Sequence, residues 1–88
     1  MPEPPTATIR AHVLTAHLQG EAVLLDLDTK RYYRLNSTAA CIWKGLEQSL
    51  AADQITKTLV DEFDVDPALA RVELDRALGH LRARGLVT

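Results

Sequence analysis

The sequence predicts an α+β fold, a three-stranded antiparallel meander followed by three helices, and three observations point to it. Val23, Leu25 and Leu27 alternate with Asp26 and Asp28 at period two, the pattern of a half-buried strand. From Asn36 onward the apolar period becomes three and four: Ala39, Ile42, Trp43, Leu46 and Leu50 build one helical stripe. Two short turn-forming connections, Gln19-Gly20-Glu21 and Asp28-Thr29-Lys30, separate the strand-like runs. Neither is long enough for a crossover, so neighbouring strands pair antiparallel.

Taken in order, residues 1–8 hold Pro2, Pro4 and Pro5 and read as a flexible N-terminal tail, with a single domain over 9–88. Ile9–Leu18 alternates imperfectly, with Ile9, Ala11 and Val13 on one face, and is the first strand. Gly20 is free to take the positive φ of a tight turn. Ala22–Leu27 is the second strand, and its first half is apolar on both faces, which suits the middle of a sheet. Asp28 has the chemistry to accept hydrogen bonds from the turn that follows it. Arg31–Leu35 carries paired aromatics and forms the third strand, an edge of the meander.

Asn36 is an N-cap for a helix opening at Ser37, although Ala39 stands where Glu or Gln would complete a capping box. Gly45 marks a close helix contact. A second helix starts near Ala52 or Asp53 with Ile55, Leu59, Val60 and Phe63 inward, and ends in acid: Asp61, Glu62, Asp64 and Asp66. Asp66-Pro67 pairs an N-cap with proline at the first helical position. Ala70, Leu74, Ala77, Leu78 and Leu81 give the third helix its stripe, Gly85 sits at its C-terminal cap, and Leu86 and Val87 return to the core.

An apolar fraction of 47% and a charged fraction of 25% are those of a folded domain. Net charge of −2 argues against a general nucleic-acid binder, which carries a clearly basic balance. One cysteine forms no internal disulfide, no apolar run reaches the ~20 residues of a membrane span, and no signal-peptide pattern is present. The expectation is a cytoplasmic protein without membrane partners.

No catalytic constellation is legible. His12 and His17 fall at opposite parity on one strand, and His80 lies on the third helix, so no metal ligands converge. Cys41 beside Ile42 and Trp43 behaves as a small buried hydrophobe. The acidic run at Asp61–Asp66 lacks calcium-loop spacing, and the glycines are too scattered for a phosphate loop. The chain reads as a non-enzyme with neither metal nor cofactor.

Binding is better supported. Lys30, Arg31 and Arg34 surround Tyr32 and Tyr33 on an edge strand. Read alone, this is either ordinary guarding of an edge against aggregation or a recognition surface. On the third helix Arg71, Leu74, Asp75, Leu78 and Arg82 share one side as a mixed apolar and charged stripe. Such a stripe beside an open strand edge makes a groove into which an extended peptide could add as a further strand.

The run Leu24–Asn36, the segment Tyr33–Ala40 (Tyr-Arg-Leu-Asn-Ser-Thr-Ala-Ala), Ile42-Trp43 and the ending Gly85-Leu86-Val87 resemble PqqD-like proteins over nearly the whole domain. The resemblance implies a winged-helix-like fold acting as a recognition element for the leader peptides of ribosomally made, post-translationally modified peptides. It implies that the leader binds as an added strand between the third strand and the third helix. Discrete members of lasso-peptide pathways pass the leader to a separate protease, and this chain resembles that group. On this reading the peptide-binding residues are Arg31, Tyr32, Tyr33, Arg34 and Leu35 with Arg71, Leu74, Asp75 and Leu78. Two alternatives are a DNA-binding winged helix placing Arg71, Arg76, Arg82 and Arg84 on phosphates, and a module that pairs its free edge in a homodimer.

Overall fold

The computed structural model describes residues 4–88. Its elements follow the expected order: β1 (Val13–Leu18), β2 (Glu21–Asp26), β3 (Arg31–Leu35), α1 (Ser37–Glu47), α2 (Ala52–Phe63) and α3 (Pro67–Ala83). The sheet is an antiparallel meander in the order β1-β2-β3. Gln19 and Gly20 join the first two strands with φ of 44° and 83°, the doubly left-handed turn that matches strand twist.

The helices cover one face of the sheet. Thr15, Leu24 and Tyr33 lie side by side across that inner face, and Leu24 is fully buried. Trp43 of α1 sits against them at 0% exposure and donates its indole N–H to Thr15 Oγ1 at 2.9 Å. Ile55 and Leu59 from α2, Leu74 and Leu78 from α3, and the returning Leu86 complete the core. At Gly45 a Cβ would stand 2.7 Å from Ile55 Cγ1, so glycine there sets how closely α1 and α2 cross.

Helix ends are capped by local side chains. Asn36 Oδ1 accepts from Ala39 N at 2.9 Å, and Asp66 Oδ1 accepts from Ala68 N at 2.8 Å. Ala51 offers α2 no side-chain cap, and Gln54 Oε1 instead reaches back to the Ala51 N–H. After α3, Gly85 takes φ of +71° and Leu86 N donates to Leu81 O, turning the chain back into the core.

The structure corrects three sequence expectations. The first strand starts at Val13 rather than Ile9, because Val13 N bonds back to Arg10 O in a turn; Ile9 instead bridges Val87. The flexible-tail reading of residues 1–8 fails for Thr6–Thr8: Ala7 is buried, and Arg82 donates to Thr6 O while Thr88 N donates to Thr8 O. Of the rest of that reading, Pro4 and Pro5 are exposed and belong to no element, and Met1–Glu3 lies outside the described residues.

The third correction concerns β2. Its core face is Ala22, Leu24 and Asp26, while Val23 and Leu25 face outward and Leu27 belongs to the turn. Asp26, not Asp28, is the turn acceptor, its Oδ1 taking the Asp28 and Thr29 N–H groups at 2.9 and 3.1 Å. The inversion leaves the outer sheet face apolar, with Leu14, Leu25 and Tyr32 in one row.

Candidate functional site

Among the described residues no strand pairs with the outer edge of β3, so its unpaired N–H and C=O groups are open to a partner strand. Alternation sorts the side chains of β3. Tyr33 and Leu35 are half-buried against the core, while Tyr32 (72% exposed) and Arg34 point out. Arg34 is held by Glu21 through Nε and Nη2 at 3.1 and 2.9 Å, an exposed pair that orders the side chain more than it stabilises the fold.

Beside this edge runs a groove of about 560 Å³. Its floor is Leu35, Ala39 and Ile42, and its far wall is α3 through Glu73, Arg76, Ala77, His80 and Arg84. Arg84 marks one end, with its guanidinium 5.9 Å from the Tyr33 ring centroid. Glu73 marks the other end, near Thr38 at the start of α1. Groove and α3 therefore run together for about three turns.

The sequence-predicted residues divide on this geometry. Arg31–Leu35 form the strand beside the groove, and Tyr32–Leu35 line it. The four on the helix do not: Leu74 and Leu78 are 0% and 4% exposed and belong to the core. Arg71 and Asp75 pair with each other at 3.4 Å, and Arg71 reaches Asp53 on α2, so they lie on the far side of α3. The groove wall is the face one step round the helix. The signal for it was Arg76, His80 and Arg84 at four-residue spacing around the small Ala77.

The four arginines of the DNA-binding alternative do not converge. Arg71 faces α2, Arg82 is tied to Thr88 O and Thr6 O, and Arg76 and Arg84 line the groove. A slightly larger cleft of about 640 Å³ lies between α1 and α2, floored by Ala40, Gly45 and Ile55. It borders α1 and α2, whose backbone groups are already paired, and meets the sheet only at His17, Gly20 and Glu21 around the β1–β2 turn. Cys41 lines that cleft, and burial, with the charge and hydrogen bond of Glu62, pushes its thiol up to about 11. It is a poor nucleophile there.

His12, Asp26 and Asp28 do come together, which the sequence did not suggest. The two imidazole nitrogens lie 3.6 Å from Asp26 Oδ1 and 3.7 Å from Asp28 Oδ2. Each carboxylate meets a different ring nitrogen, so the ring is a bridge across the β2–β3 turn. At Asp26, burial works against the charge. Hydrogen bonds from the Thr29 and Asp28 backbone, the charge of His12 and the Thr29 hydroxyl outweigh it and hold the carboxyl below its ordinary value.

Residues 21–87 match the family described as Coenzyme PQQ synthesis protein D (PqqD). The chain belongs to the PqqD family. Two solved structures share its fold. TbiB1, solved in complex with the TbiA(beta) leader peptide, is 30% identical, with 91% of this chain and 93% of that one covered and a TM-score of 0.86. A lasso peptide synthetase B1 complexed with the leader peptide is 24% identical, with 93% and 96% covered and a TM-score of 0.84. At that identity the second likeness speaks for the fold alone. No curated protein matches the sequence.

No helix among the described residues is long and apolar enough to cross a membrane.

Proposed function

We propose that this PqqD-family domain binds the leader peptide of a ribosomally made precursor by strand addition to β3, between that strand and α3. It then delivers the leader to a separate maturation enzyme, the leader protease of a lasso-peptide pathway. The observation that carries the reading is the open β3 edge flanked by an apolar-floored groove. The likeness to a chain solved with a leader peptide supports it. Backbone hydrogen bonds along β3 would fix register, and alternate leader side chains would enter the groove over Leu35, Ala39 and Ala77. The site is then Arg31–Leu35 with Glu73, Arg76, Ala77, His80 and Arg84, replacing Arg71, Leu74, Asp75 and Leu78. Pairing of two copies through β3 would occupy the same edge and compete with the peptide.

The test is a fluorescence-anisotropy titration with the labelled leader of the precursor encoded beside the gene. Saturable binding with Kd near ~1 µM, about −8 kcal/mol, is expected. Ala77→Glu puts a charged side chain into the groove from a half-buried helical position and should weaken that binding at least tenfold while the melting temperature holds. Unchanged affinity in this variant would remove the groove from the reading. Processing of the precursor by the pathway protease, with and without the domain, tests delivery.

A further inference from the structure

We infer that Arg84 selects the peptide by pairing with a carboxylate at one end of the groove, so that the bound segment is acidic at the Tyr33 end and not at the Glu73 end. This rests on the peptide-binding reading above.

Among the described residues no carboxylate pairs with Arg84, in contrast to Arg34, Arg71 and Arg76. Its guanidinium is nevertheless placed. Nη1 donates to His80 O at 3.1 Å and lies 3.3 Å from His80 Nδ1, and the Tyr33 ring lies beneath the guanidinium. A guanidinium whose position is set by a carbonyl and an aromatic face keeps N–H donors free for a planar, two-oxygen acceptor. At the opposite end Glu73 pairs with Arg76 at 3.5 Å, so the two charges offset and the wall there is close to neutral. The chain as a whole is acidic at −2, so this positive end is local.

Spacing agrees with an extended ligand. Arg76 and His80 on α3 and Arg84 at its C-cap repeat every four residues, a step of about 6 Å along the axis. Alternate side chains of a β-strand repeat at about 6.7 Å. A peptide lying on β3 therefore brings every second side chain to successive turns of α3. A carboxylate facing Arg84 stands two or four residues from a side chain over Ala77 and Leu81, where the wall is apolar. The selected pattern is Asp or Glu with an apolar residue two or four positions away, and no acid selected at the Glu73 end.

The experiment is selection from a displayed library of random twelve-residue peptides on the full chain, followed by anisotropy on the synthetic winner and its Glu→Gln or Asp→Asn twin. We expect acid enrichment at one position and a twin that binds about tenfold weaker at low salt, a gap that narrows as salt rises. Arg84→Gln should bind winner and twin alike, and Arg84→Glu should prefer a Lys substitution at that position. Winners without acid preference, or a gap that survives Arg84→Gln, would overturn the assignment to Arg84 while leaving peptide binding in place. A library that yields no binder at all would overturn peptide binding itself. Arg84 is exposed at the helix end, and Arg84→Lys, which keeps the charge, serves as the folding and charge control.

Discussion

Asp26 shows how one side chain can redirect a strand. A carboxylate at 2% exposure is costly unless its charge is answered, and here two turn N–H groups and His12 answer it. Because its folded pKa lies below the ordinary 3.8, the ionised group contributes stability that is fully present above the unfolded value. That contribution is lost as pH falls through the folded value, in the window below about pH 4. Asp26→Asn keeps an acceptor and removes the charge, so its urea midpoint should drop less than the native protein's between pH 6 and pH 3. Equal drops would mean that Asp26 does not carry the acid sensitivity. Alternation alone could not have revealed this residue. It marks apolar against polar and has no means of showing that the polar side faces the core.

At the scale of elements, local chemistry was legible and orientation was not. Asn36, Asp66-Pro67 and Gly85 are where their chemistry places them, because a cap depends only on neighbouring backbone. β3 was readable for the same reason. The facing of α3 was not, since Leu74 and Leu78 flanked by Arg71 and Asp75 describe equally a groove wall and the seam where a helix meets its core. The structure makes it the seam. Leu74→Asp should therefore cost about 4 kcal/mol or more, a lost buried leucine plus an unpaired buried charge. In a domain this small that is most of the total, so thermal melting should show loss of folding, where Ala77→Glu melts normally. A Leu74→Asp variant that folds and merely binds less would restore the sequence's placement of the groove.

The whole molecule is tied together at Trp43, which joins α1 to β1 through Thr15 and packs within a core drawn from every helix. With no subset of elements holding a core of its own, sheet and helices should unfold together. Melting followed by Trp43 fluorescence and by far-UV circular dichroism should give coincident curves, and separated midpoints would show a helical unit that survives the sheet. The class of fold was legible because three strands and three helices with short connections admit few topologies. The pinned N-terminal segment was not, because a proline-rich stretch carries no sign of the distant backbone it will meet.

That meeting has a consequence for how such a domain travels between proteins. Thr8 and Thr88 exchange hydrogen bonds, and Ile9 bridges Val87, so the polypeptide enters and leaves the fold at a single point. A unit with its two ends side by side can be spliced into a surface loop of a larger host without prising either partner open, or closed into a ring and reopened elsewhere. The β3 edge forms no part of this junction, so the surface proposed to bind the leader would ride unaltered through such a rearrangement.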